Sequence, residues 1–312
     1  MTSRAIAVLA LLAVVSITFA QADTDAVMRD LRSRDAGVRN AASEKAVEIG
    51  APMVTPLLAL YGVGTSLAES VAEKTLMKIV AKASAPGSEQ LGAAVAAALG
   101  KGIESGATGL VRCEACKLAG MLGMDECVPP LRLAIGDDVT YAAALSALTQ
   151  IPGHVAALGL VRSARNVPEA RRPEVVRAVG ARRDAFTAWV LIHPGTTRMG
   201  PAAVYEALGM IAHPTSAPTL AAGALSDDVG IRKAAVHALI SLADAEQQSG
   251  GAFARRCYRR ALDYATNDAQ RSAALIGLAE TDPTSRVKWL TMGLDNPHSR
   301  RLCEPLLGAD TP

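Results

Sequence analysis

An eight-residue phrase recurs along this chain, and its spacing constrains the fold more than any single motif does. Asp35 opens D-A-G-V-R-N-A-A, Asp228 opens D-V-G-I-R-K-A-A, Asn267 opens N-D-A-Q-R-S-A-A and Thr108 opens T-G-L-V-R-C-E-A. Asp35 and Thr108 lie two units of about 36 residues apart, and Asp228 and Asn267 one unit of about 39, periods at which short helical hairpins repeat. In each copy the first residue suits a helix N-cap, because its side-chain oxygen can accept from the orphan amides of the next turn. An Arg follows four positions on (Arg39, Arg112, Arg232, Arg271), then small residues that let helix axes approach closely. Between these helices the sequence predicts others, Pro52 to Tyr61, Ser88 to Leu99, Pro129 to Ile135, Val155 to Ala164 and Pro218 to Leu225, several of them entered through Pro, whose missing amide costs nothing in a first turn. Weaker copies fit around Asp138, Pro173 to Gly180 and Gly200 to Ala212.

Composition agrees. The 312 residues are 50% apolar and 20% charged with net charge +2, which excludes an intrinsically disordered chain. Alanine makes up about a fifth of the chain, and only two Trp, five Tyr and three Phe are present. That profile favours helices over a β-sandwich or barrel and argues against aromatic platforms for single-stranded nucleic acid or sugars. Residues 5–20 form an uncharged apolar run behind Arg4, ending at Ala20-Gln21-Ala22. This predicts a signal peptide over 1–22, cleaved after Ala22, and a secreted or periplasmic bacterial protein. No later run is long enough for a membrane span, so none is expected once the leader is removed. Residues 23–150 carry 12 basic and 15 acidic side chains, and residues 151–312 carry 19 and 15. This polarity is too mild to predict nucleic acid as a partner.

With V-R-x-x-A, a preceding Asp and a following Leu or Ile, the copies resemble the second helix of HEAT repeats, including the HEAT-like subgroup of the bilin-lyase type. The resemblance covers most of residues 24–282. It implies an all-α solenoid, a HEAT/armadillo-like superhelix of antiparallel helix pairs, with one domain over 23–312, seven to eight pairs, and residues 283–312 as a C-terminal cap. Such arrays serve mainly as binding scaffolds, and the Asp and Arg pair resembles their structural ladder.

Candidate chemistry is sparse. Cys113 and Cys116 form C-x-x-C at a helix start, where the dipole lowers a thiol pKa. Three readings stay open: a redox dithiol, a disulfide involving Cys113, Cys116 or Cys127, and plain small residues. By repeat column, Cys113 should be rather exposed and Cys116 half buried. No second C-x-x-C or H-x-x-H completes a zinc site, and the five His (154, 193, 213, 237, 298) lack catalytic spacing. Arg255, Arg256, Arg259 and Arg260 occupy one helical face, read either as a solvated surface or as an interaction patch for an acidic protein segment or anionic polymer. A second cluster comprises Arg162, Arg165, Arg171, Arg172, Arg177, Arg182 and Arg183. The expectation is therefore an exported, non-catalytic scaffold binding another protein through its curved surface, without cofactor or metal. Charge reversal at Arg255 with Arg259 should weaken capture. The alternative is a HEAT-like lyase or thiol-dependent cofactor handler using Cys113 and Cys116.

Overall fold

The computed structural model describes residues 23–61, 66–106, 108–193, 196, 199–248 and 251–308. The expected leader, residues 1–22, and its cleavage point lie outside the described residues. Among the described residues the regular elements are helices, and no strand forms. The chain divides into two compact units, one up to Pro152 and one from Gly153, where the sequence reading draws a single domain. That boundary falls where the charge balance changes sign.

The first unit holds α1 (23–30), α2 (Ala36–Ile49), α3 (Val54–Leu58), α4 (Ser66–Ala83), α5 (Glu89–Ser105), α6 (Gly109–Leu122), α7 (Val128–Ala134) and α8 (Tyr141–Gln150). The even-numbered helices α2, α4, α6 and α8 lie side by side in one row, and α3, α5 and α7 form a second row against them. Leu57, Leu76, Val95, Leu99, Leu118, Leu131 and Leu148 are wholly buried, each such side chain contributing roughly 1.5–3 kcal/mol of hydrophobic stabilisation.

The second unit repeats the scheme with α9 (His154–Ser163), α10 (Arg172–Ala181), α11 (Ala185–Leu191), α12 (Pro201–Ile211), α13 (Ala217–Gly223), α14 (Val229–Glu246), α15 (Gly251–Asp263), α16 (Asp268–Thr281), α17 (Arg286–Gly293) and α18 (Pro297–Gly308). Here α10 packs on α12, α12 on α14, α14 on α16 and α16 on α18. Within the stretch expected as a cap, α17 packs on α18.

The repeated phrase is a helix start in every copy. Asp35 Oδ1 accepts from the Gly37 and Val38 amides at 2.7 and 3.3 Å, and Asp228 Oδ1 from Gly230 and Ile231 at 2.7 and 3.0 Å. Thr108 accepts from Val111 at 3.3 Å and Asn267 from Gln270 at 2.9 Å. Such caps contribute about 1 kcal/mol each. The Arg four residues on turns back to hold the preceding loop. Arg39 donates to the Ser33 and Arg34 carbonyls, both at 2.8 Å, and Arg232 to the Ser226 carbonyl at 2.8 Å. Arg112 donates to the Ile103 carbonyl at 3.0 Å and ion-pairs with Asp137 at 2.9 Å. In the Asn267 copy a neighbouring side chain does this work: Gln270 accepts from the Thr266 amide at 3.0 Å and donates to the Lys233 carbonyl at 2.8 Å.

Two corrections follow from the same chemistry. The cap before α8 is Asp137, which accepts from the Val139 and Thr140 amides at 2.9 and 3.3 Å, one residue before the expected Asp138. A further copy stands at Asn296, which accepts from the His298 amide at 2.8 Å while Arg300 donates to the Leu294 carbonyl at 2.9 Å.

Helix crossings in the even rows are tighter than alanine alone permits. A Cβ on Gly120 of α6 would lie 2.8 Å from the Ala147 Cα of α8. The same meeting recurs between Gly180 and Ala207 at 2.6 Å and between Gly209 and Ala238 at 2.8 Å. These are backbone approaches that only glycine on one side allows.

Candidate functional site

In the first unit α6 projects Cys113, Glu114 and Lys117 into an open cavity of about 540 Å³, bordered by Tyr61 after α3, Glu69 on α4 and Gln150 on α8. Lys117 Nζ lies 3.4 Å from both Glu73 and Glu114. Partial burial works against its charge, but Glu114 and Glu73 outweigh that and hold the ammonium above its usual range. Burial, with Glu114 and Glu73 close by, pushes the Tyr61 phenol well above its ordinary value. The cavity is therefore acidic, with one cation shared between two carboxylates.

The C-x-x-C sits at its rim and does not converge. All five cysteines are free thiols. Cys113 Sγ donates to the Val139 carbonyl at 3.3 Å, whereas Cys116 is wholly buried, not half buried as its column suggested. The column holding Cys116, Ser43, Val236 and Leu275 is buried in every copy because it faces the body of its unit. Burial pushes the Cys116 and Cys127 thiols up to about 12, the reverse of the lowering that a reactive dithiol requires. Of the three readings left open for Cys113, Cys116 and Cys127, the free thiols match that of plain small residues. Among the described residues no group of three or more His, Cys, Asp or Glu could hold a metal ion. The histidines serve locally: His154 pairs with Asp184 at 3.1 Å and stacks on Phe186, and His213 hydrogen-bonds Thr215 at 2.8 Å.

In the second unit the four arginines of α15 part into two lines one helical step apart. Arg255 and Arg259 face the junction of α16 and α17, where Asp282 lies 3.6 and 4.0 Å from them. Arg259 also stands over the Trp289 ring at 5.8 Å. Asp282 is nearly enclosed, its side chain 10% exposed. The Thr284 hydroxyl, donating at 2.8 Å, and the Arg255 guanidinium hold its carboxyl below the usual range.

Arg256 and Arg260 point the other way, over Phe253 and Tyr264 at 5.7 Å each. Both are exposed, and neither is ion-paired among the described residues. With Arg259 and Asp263 they border a cavity of about 380 Å³ where α13 and α15 stand apart, walled by Ala217 and Ala221 and floored by Leu239. The sequence placed all four guanidinia on one face. What it missed is that Asp282, far along the chain, engages one line and leaves the other open. The second cluster does not gather. Arg177 pairs with Glu206 at 2.8 Å, Arg182 donates to the Gly153 carbonyl at 2.8 Å, and Arg183 borders a separate cavity with His237 and Asp244.

No protein-family model matches the chain, and no curated protein matches it. Among solved structures it is similar to human deoxyhypusine hydroxylase in complex with glycerol, at 17% identity and a TM-score of 0.33, over 73% of this chain and 98% of that one. It is also similar to an engineered protein, at 16% identity and a TM-score of 0.34, over 91% of this chain and 88% of that one.

Proposed function

We propose that the protein is a HEAT-type scaffold, exported behind a signal peptide cleaved after Ala22, that binds another protein and performs no catalysis. The observation that carries this reading is the pair Arg256 and Arg260, two exposed guanidinia beside an open cavity that form no ion pair among the described residues. A solvated surface spreads its charges and pairs them; unpaired guanidinia at the mouth of a recess are suited to meeting carboxylates on a partner. The buried, high-pKa Cys116 and the single half-exposed Cys113 weigh against thiol-dependent chemistry.

The test is recovery of a tagged full-length chain from the exported fraction at two salt concentrations, with bound proteins identified by mass spectrometry. Wild type and Cys113→Ser should hold the same protein, with less held at high salt, and a chain carrying Arg256→Glu and Arg260→Glu should lose it. N-terminal sequencing of the recovered chain should begin at Asp23. Loss of function in Cys113→Ser alone, with helicity unchanged, would transfer the assignment to the thiol-dependent alternative.

A further inference from the structure

We infer that the recess between α13 and α15 is an anchor site for one apolar side chain of an acidic, extended peptide segment. The inference rests on the binding-scaffold reading and specifies its ligand. Three observations combine. The floor and walls are small and apolar, with Leu239 below and Ala217 and Ala221 on the α13 side, and the opening of about 380 Å³ lies at the small end of the range for ligand recesses. The mouth carries Arg256 and Arg260, one turn apart on α15, with Arg259 beside them. Their planar forks suit discrete carboxylates spaced along a peptide.

The third observation concerns where the positive charge stops. Asp263 borders the same recess at the end of α15, and Asp282 lies across the other arginine line. A continuous polyanion laid along α15 would run past Asp263, whereas a peptide with one or two acids beside an apolar residue can set them against Arg256, Arg259 and Arg260, which outnumber that carboxylate at the recess. Charge complementarity thus selects a short acidic segment with an apolar anchor.

The probes are a fluorescein-labelled glutamate-rich decapeptide with one central phenylalanine, the same peptide with alanine there, and inorganic polyphosphate, each titrated by anisotropy or competition against the full chain. The phenylalanine peptide should bind at least about tenfold more tightly than the alanine peptide, as burial of one aromatic side chain implies. That preference should vanish in Ala221→Leu, which fills the recess at a half-exposed position. Binding of both peptides should fall at least about tenfold in the chain with Arg256→Glu and Arg260→Glu, since two attractive charge contacts become repulsive. Equal affinity for the two peptides, tighter binding of polyphosphate, or no binding of any probe overturns the inference. A partner protein lost by the chain with Arg256→Glu and Arg260→Glu but captured by Ala221→Leu as well as by wild type also overturns it while leaving the scaffold reading standing. Specific binding of the phenylalanine peptide without any captured protein supports the recess and counts against the scaffold.

Discussion

Lys117 in the first unit and Asp282 in the second occupy opposite versions of one arrangement. Lys117 is a single cation held 3.4 Å from two carboxylates, Glu73 and Glu114; Asp282 is a single carboxylate facing two guanidinia, Arg255 and Arg259. Beneath both lies the same frame of capped helix starts, Arg side chains folded back on loop carbonyls, and glycine-on-alanine crossings. The frame is thus indifferent to the sign of its lining. Charge is set at positions the shared frame does not use, which is how two units of one architecture present an acidic cavity and a basic one.

Thiol reactivity separates Cys113 most sharply from the other cysteines, which are buried in both units. The half-exposed Cys113 is in the first unit, whereas Cys116, Cys127 and Cys257 are buried, the last pushed up to about 11 by burial. Labelling with a disulfide reagent at neutral pH should mark Cys113 first, with those three slower by about a thousandfold or more, because each must wait for the structure to open. Peptide mapping identifies the labelled site. Rapid labelling at Cys257 would break the comparison, since it would mean that α15 does not hold its buried face.

The shared frame comes next. Gly120→Ala in the first unit and Gly180→Ala in the second should each cost about 1–3 kcal/mol by overpacking, measured by urea denaturation, because in both the new methyl meets an alanine backbone across the crossing. Similar costs support a common frame; a negligible cost in one unit shows that its helices cross more loosely.

The Arg clamps sharpen the contrast further. Arg112 binds a carbonyl and the Asp137 carboxylate, whereas Arg232, among the described residues, binds the Ser226 carbonyl and no carboxylate. Arg112→Ala should therefore destabilise by about 1–2 kcal/mol and Arg232→Ala by less, read as a difference in thermal midpoint.

Much of the frame was legible because it is local. An N-cap acts within three residues and the clamps of Arg39 and Arg232 within six, so Asp35, Thr108, Asp228 and Asn267 could be read from order alone. Asn296 escaped because Pro297 and His298 replace the small residues that made the other copies recognisable. The helix α11 escaped because its short run, Ala185–Leu191, exposes Phe186 and Trp189 and so lacks the usual apolar period. The division of the α15 arginines was not legible at all. It depends on Asp282, more than twenty residues away, and on α13 standing apart from α15. These are facts of tertiary packing with no imprint on local spacing. The burial of Cys116 lies between these cases: its column contained Val236 and Leu275, and weighting those over Ser43 would have placed it in the core.

The smallest expected effect is the dependence of stability on pH, and it tests whether Asp137 and Asp282 play equivalent parts in their two units. The Arg112 guanidinium, with the Val139 amide, lowers the Asp137 carboxyl from its ordinary 3.8, and the Thr284 hydroxyl, with Arg255, lowers Asp282. A carboxyl with a depressed folded-state pKa binds its proton more readily when unfolded. Each therefore favours the folded state above the unfolded value, and that contribution disappears as the pH falls through the lower folded value. Thermal midpoints followed by circular dichroism from about pH 5 to about pH 2 should fall for wild type, and fall less steeply for Asp137→Asn and for Asp282→Asn, each of which lacks one of the two titrations. Salt should blunt the difference more for Asp137, whose side chain is more exposed than that of Asp282. If Asp282→Asn leaves the acid slope unchanged while Asp137→Asn flattens it, Asp282 does not hold Arg255 and Arg259 as described. All four guanidinia of α15 would then be free to meet a partner, and the division between its two lines would disappear.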